Sequence, residues 1–338
     1  GGGARYIALK HARTARQCVE LIGRLYTQFG VKYPSGFGVA DSNEIWYVEA
    51  GGGHSWAAVK VPDSCYFIAA NSYRIGEINV EDSLNCMASP GLKEFCIQNQ
   101  LWNESYVKFN FTSIFGGGRK EKFGNNLYNT RRIWRGTDHL NPDLMLPPDT
   151  EFFPMFLKPS RKIDLQGCFS ILRDHYEGTP FDPFLSENDK NPERAIACWN
   201  CVHTDVITLM PGEPVAYGAV IWTGLSTPFS AIYVPVYYGV SSIPTGYNIA
   251  ASTFNPKSAF WKYKIMSDKI RSGEVSSTGE WFIHRNQFEK EEIDHQSSIL
   301  TKARKLQKET PNQVGNFLGS VSESFAATAF KLIQKTGK

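Results

Sequence analysis

No apolar run in this chain approaches the roughly 18 residues that a helix needs to cross a bilayer, so no stretch of it reads as a membrane span. Neither sign of charge dominates: 36 Lys and Arg stand against 33 Asp and Glu, leaving +3 spread along 338 residues. That excludes the basic footprint of a nucleic-acid binder. Cysteines number seven, an odd count in a long chain, which argues against a dense disulfide framework and for buried thiols. The glycine runs Gly51-Gly-Gly-His54 and Gly116-Gly-Gly-Arg119 lack the Gly-Lys-Ser/Thr ending of a P-loop and open no helix, so they read as turns. There is no internal repeat and no clear linker, which favours one domain. The opening Gly1-Gly-Gly-Ala-Arg-Tyr6 does not have the pattern of a signal peptide, and the original N-terminus is expected to be missing.

What is present fits a large soluble globular protein, with 42% hydrophobic, 20% charged and 13% aromatic residues, enough to bury a sizeable core. Two glycosylation sequons, Asn103-Glu-Ser105 and Asn110-Phe-Thr112, are near chance for this length and leave the compartment open, cytoplasmic or secretory/lysosomal.

Thr14-Ala-Arg-Gln17 has the form of a capping box, and Ala15, Val19, Ile22, Leu25 and Phe29 follow at helical spacing before Gly30, which predicts a helix. The period then changes. Segments 36–40, 45–49, 55–61 and 65–69 are strand-like, with Asp41-Ser-Asn43 and Pro62-Asp-Ser64 as turns, which predicts an antiparallel meander. Residues 79–125 read as irregular, ending in an exposed, mobile connection at Gly116–Lys122. Asp164 is placed to cap a helix running to about Tyr176. A second meander is expected over 195–240, a charged helix from about Asn286 to Thr310, and an amphipathic helix from Val314 to Ile333. Pattern alone implies two antiparallel sheets covered by helices, an α+β protein.

The stretch Tyr128-Asn-Thr-Arg-Arg-Ile-Trp-Arg-Gly136, then Phe156-Leu-Lys-Pro159, then Arg173-Asp-His-Tyr-Glu-Gly-Thr-Pro-Phe-Asp182 resembles the dipeptidase A (PepD-type) family of cysteine N-terminal-nucleophile (Ntn) hydrolases. The resemblance extends through Lys10–Arg16, Trp46-Tyr-Val-Glu49, Gly53-His-Ser-Trp-Ala57, Asn71–Glu77, Met87-Ala-Ser-Pro90, Tyr233-Val-Pro235 and Ser258–Trp261. Each is weak singly, but their order is specific. It implies an αββα sandwich, incomplete without an N-terminal segment, with a dipeptidase body over residues 1–285 and a C-terminal helical extension over 286–338.

The implied chemistry is hydrolysis of small peptides through a cysteine thioester. The α-amino group of residue one serves as base for its own side chain, since its reference pKa near 7.7–8.0 suits proton transfer at neutral pH. Residue one here is Gly1, so the nucleophile is expected on an absent segment and this chain alone is expected to be inactive. A companion N-terminal segment and a dipeptide are the implied partners, homo-oligomers remain open, and no cofactor or metal is implied. The competing reading is a catalytically inactive relative that acts as a scaffold or assembly component.

By resemblance the site residues are Asn71, whose amide can hydrogen-bond substrate or oxyanion, and Arg131, whose guanidinium can orient the nucleophile or a carboxylate. Against these stand a turn-capping role for Asn71 and structural ion pairing for Arg131, Arg132 and Arg135. The acid and histidine in Arg173–Gly178 read as a loop-ordering pair rather than a catalytic one. In Cys198-Trp-Asn-Cys201-Val-His203, two thiols and an imidazole suggest zinc. A second ligand group at zinc-like spacing is missing. Read as a strand, residues 198 and 201 point to opposite faces, and the helix N-terminus of a redox motif is also missing, so buried strand cysteines are expected.

Overall fold

The computed structural model describes residues 2–103, 105, 108–116, 127–183, 193–276 and 279–336. Most of the connection expected at Gly116–Lys122 lies outside the described residues. The chain folds as two units, Gly1–Lys162 and Ile163–Lys338. A boundary after residue 285 would fall inside a long helix of the second unit.

The first unit opens with helix α1 (Gly2–His11), which glycine-rich composition did not foretell, followed by α2 (Ala15–Phe29). Thr14 caps α2, its Oγ1 accepting from Gln17 N at 3.2 Å, while Gln17 reaches back to the Arg13 amide at 3.0 Å. Strands β1 (Ser35–Ala40), β2 (Ile45–Gly52), β3 (Ser55–Val61) and β4 (Cys86–Ala88) form one antiparallel sheet in that order. Asp41 shapes the first turn by accepting the Asn43 and Glu44 amides at 2.7 and 3.0 Å. Gly52 and Gly53 hold positive φ values of 100° and 56° in the second hairpin, a conformation open to glycine without strain.

The expected fourth strand at 65–69 is not a sheet member. Tyr66 makes only an isolated bridge to Leu157, and Phe67 packs against Tyr47 and Phe156, so the edge of β3 is taken by the distant Cys86–Ala88. Short helices α3 (Leu92–Gln98) and α4 (Phe111–Phe115) and the longer α5 (Leu127–Leu140) complete the unit.

Alternation along β2 divides the packing. Trp46, Val48 and Ala50 meet Val19, Ile22 and Tyr26 of α2 on one face. Tyr47 joins Val59, Ile75, Leu92 and Phe111 on the other. Side chains at successive strand positions point to opposite faces, so a strand buried throughout Trp46–Ala50 requires cover on both sides. Each large side chain so buried contributes on the order of 1.5–3 kcal/mol.

In the second unit, α6 (Leu165–Arg173) starts at Asp164, whose Oδ1 accepts Gly167 N at 2.7 Å. It stops at Arg173, short of the expected Tyr176, because Asp174 turns to an extended conformation (φ −64°, ψ 128°), and Tyr176 beyond it takes a positive φ of 69°. Strand β5 (His203–Leu209), the short α7 (Val215–Gly218), β6 (Ala219–Leu225) and β7 (Tyr233–Tyr237) follow, giving a three-stranded antiparallel sheet in the order β5-β6-β7. Helices α8 (Ala259–Arg271), α9 (Glu280–Glu309) and α10 (Val314–Thr336) close the unit. Trp222, Tyr233, Met266, Trp281, Leu318 and Ala329 share its core. The whole is mixed helix and antiparallel sheet, an α+β architecture. Among the described residues no helix is long and apolar enough to cross a membrane.

Candidate active site

Glu49 sits on β2 opposite Gly36 of β1 and is only 1% exposed. Its carboxyl accepts two backbone amides, Arg74 N at 2.6 Å and Ile75 N at 3.0 Å. Burial pushes it up to about 7, against the pull of those two amides, the Arg74 guanidinium and the Tyr47 hydroxyl. The Arg74 side chain fans over three carbonyls, Ile68 at 2.8 Å, Phe153 at 3.2 Å and Pro154 at 2.8 Å. Tyr73 Oη donates to Ala50 O at 2.9 Å. Together these bonds tie the 68–75 loop to the sheet.

A polar cleft of about 270 Å³ opens beside this knot, lined by Ser35, Gly36, Tyr47, Glu49, Asn71 and Tyr73 among others. Gly36 is required there, since a Cβ would lie 2.2 Å from the Tyr47 hydroxyl oxygen. Ser72 and Tyr73 also line a second cavity of about 490 Å³ whose walls include Arg74, Thr130, Ile133 and Phe153.

Asn71 is thus at the cleft, and its Oδ1 accepts a hydrogen bond from Arg132 Nη1 at 2.9 Å. Arg132 also donates to Asn129 Oδ1 at 2.7 Å. A guanidinium that reaches Asn71 is thus that of Arg132. Arg131 is 7% exposed on α5, and adjacent helical positions point about 100° apart. Arg135 pairs with Asp138 at 3.1 Å, a partly buried bond within one helix turn. Glu49 was legible only as part of Trp46-Tyr-Val-Glu49. The available signal was a carboxylate on the same strand face as Tyr47, amid otherwise apolar residues.

The other sequence candidates lie in the second unit. His175 Nδ1 is 3.0 Å from Asp182 Oδ1, and its ring stands edge-on to Phe229. Asp174 Oδ1 accepts Tyr176 N at 2.8 Å, and Glu177 accepts His175 N at 3.1 Å. This segment orders its own turn, as its pattern suggested. Cys198 and Cys201 precede β5 in a turn closed by Cys201 N to Cys198 O at 3.1 Å, not in a strand, and both are partly exposed. Their sulfurs lie 2.8 Å apart. The opposite-face geometry expected of a strand does not apply. Among the described residues no three His, Cys, Asp or Glu side chains converge as a metal site.

The sequence profile of peptidase family C69 matches residues 3–273. A probable dipeptidase of Salmonella dublin is 35% identical over 244 residues, covering 71% of this chain and 55% of the relative. A dipeptidase of Bifidobacterium longum is 31% identical over 279 residues (77% and 52%). A probable dipeptidase of Latilactobacillus sakei is 29% identical over 318 residues (94% and 64%). The chain therefore spans between about half and two thirds of the length of these relatives. With a profile match across most of its length and relatives of this kind, the chain belongs to peptidase family C69.

Proposed function

We propose that these 338 residues are the C-terminal portion of a cysteine dipeptidase that hydrolyses small peptides through a thioester, with the nucleophilic cysteine on a segment outside them. The observation that carries the reading is the cleft at Asn71. A residue expected from the family pattern lines a polar pocket, held by Arg132, beside a buried carboxyl and the outer edge of β1. None of the described cysteines lines that cleft. Burial raises the thiols of Cys18, Cys86, Cys96 and Cys168, Cys86 and Cys96 to about 11, which suits structural roles.

In this reading the α-amino group of the N-terminal cysteine takes the thiol proton, and the thiolate adds to the peptide carbonyl. The Asn71 amide donates to the developing oxyanion, and Arg131 orients the substrate carboxylate. As the adduct collapses, the α-ammonium gives its proton to the leaving nitrogen and the C-terminal amino acid departs; water, deprotonated by the α-amino group, then hydrolyses the thioester and the thiol regains its proton. The missing strand would pair at the β1 edge, where unpaired amides and carbonyls invite a partner, completing an αββα sandwich.

Intact-mass and N-terminal analysis of native material, combined with dipeptide turnover before and after thiol alkylation, tests this. The expected result is turnover lost on alkylation of an N-terminal cysteine outside these residues. Turnover dependent on one of the seven internal cysteines would overturn it. Native material with no such cysteine and no turnover would favour the scaffold reading instead.

A further inference from the structure

We propose that Cys198 and Cys201 form a thiol–disulfide exchange site for low-molecular-weight disulfides, with Cys198 as the attacking thiol and Cys201 as the resolving one. The two sulfurs are 2.8 Å apart across a four-residue turn, and both side chains are partly exposed. A pair already in contact needs no backbone rearrangement to bond, which is the usual geometric obstacle.

The turn is anchored on both sides. Ala197 N donates to Asp174 O at 2.9 Å and Tyr176 Oη to Arg194 O at 3.1 Å. Beyond it, Thr227 Oγ1 donates to Trp199 O at 3.2 Å and Ser226 N to Val202 O at 2.8 Å. The sulfurs are therefore presented by a braced segment rather than brought together by chance in a loose one.

The environment also separates the two roles. The hydrogen bond from Cys201, then the Arg194 guanidinium, hold the Cys198 thiol below its usual range against the opposing effect of burial, whereas sharing that bond and burial raise Cys201. An attacking thiol is effective when a good fraction is thiolate at ambient pH. The Cys198 thiolate attacks one sulfur of a disulfide RSSR, forming a mixed disulfide and expelling RS⁻. Cys201 then gives its proton to RS⁻ or solvent, and its sulfur attacks Cys198 Sγ, displacing the second RS⁻, which is protonated by solvent. Two protein thiols are oxidised by two electrons, and RSSR is reduced to two RSH.

The test is incubation of the full chain with oxidised glutathione near neutral pH in the presence of a chelator, acid quenching, alkylation and peptide mass mapping. The expected wild-type product is a 198–201 peptide two hydrogens lighter, with neither alkyl group nor retained glutathione. Cys201→Ser should retain one glutathione on Cys198, and Cys198→Ser should react at Cys201 at least about tenfold more slowly. Both thiols staying alkylatable in the wild type, or equal reactivity in the two variants, would overturn the assignment. So would protection from alkylation that appears only when the chelator is omitted, since that would mark a metal pair.

Discussion

Replacing Glu49 by glutamine should flatten the pH dependence of stability in a calculable way. The carboxyl is 1% exposed and raised to about 7 in the fold, against 4.5 for an ordinary glutamate. At about 1.4 kcal/mol per pH unit, that gap is worth about 3.5 kcal/mol. Because the folded-state value lies above the unfolded one, the folded chain binds the extra proton. The stabilisation is fully present below about 4.5 and is lost as pH rises through about 7. Some 2.5 kcal/mol of it should disappear between about pH 5 and about pH 8, since the unfolded carboxyl has shed most of its proton by the lower limit. Glu292 in the second unit is also raised by burial, so the wild-type slope contains both contributions. Glu49→Gln removes only the first. Glutamine presents one carbonyl to two amides, so the variant also loses about 1–3 kcal/mol at every pH; only the difference in slope bears on the argument. Urea titrations followed by tryptophan fluorescence at several pH values would measure it. Equal slopes in wild type and variant would show that Glu49 does not bury its proton and that the cleft is wetter than its geometry implies.

Gly23→Ala should destabilise the first unit by about 1–2 kcal/mol. The new Cβ would lie 2.2 Å from Trp56 Cζ2, and overpacking outweighs the gain of up to about 1 kcal/mol in helix propensity; a rise in thermal midpoint would refute this. Glu289→Gln should cost about 3–5 kcal/mol, because it removes the buried carboxylate that pairs with the nearly buried Arg173 and lies in the field of the buried Arg285, and a loss under about 1 kcal/mol by urea titration would show the pair to be solvated. On the proposed dipeptidase reading, Arg131→Lys in the native protein should lower kcat/KM at least about tenfold, equivalent to about 1.4 kcal/mol, with the fold retained by circular dichroism. Unchanged kinetics would leave Arg131 a structural role and shift attention to Arg132.

The signals readable in the chain were those whose partners lie within a turn or two. Thr14 with Gln17, Asp41 with Asn43, and Asp164 with Gly167 are caps and turns whose geometry depends on three or four residues. The glycines at 52 and 53 likewise mark a hairpin by their own backbone freedom. Strand alternation exposed β1 to β3 and the second meander for the same reason. The family order of motifs put Asn71 forward as a candidate site residue. It could not foresee the bond from Arg132, which joins residues 61 apart.

Tertiary structure alone decided the contacts that organise the cleft and the cores. Glu49 meets amides 25 and 26 residues away, and Arg173 meets Glu289 across 116 residues. Segment 65–69 has strand propensity, yet the open edge of β3 went to Cys86–Ala88, because pairing depends on which segment the packed helices and loops bring alongside. At Cys198 and Cys201 the alternating pattern suggested divergent side chains, and one turn-closing hydrogen bond placed the sulfurs in contact. Local propensity is set by neighbours along the chain, whereas burial, long-range pairing and the pKa of Glu49 depend on which distant groups exclude water from the same point.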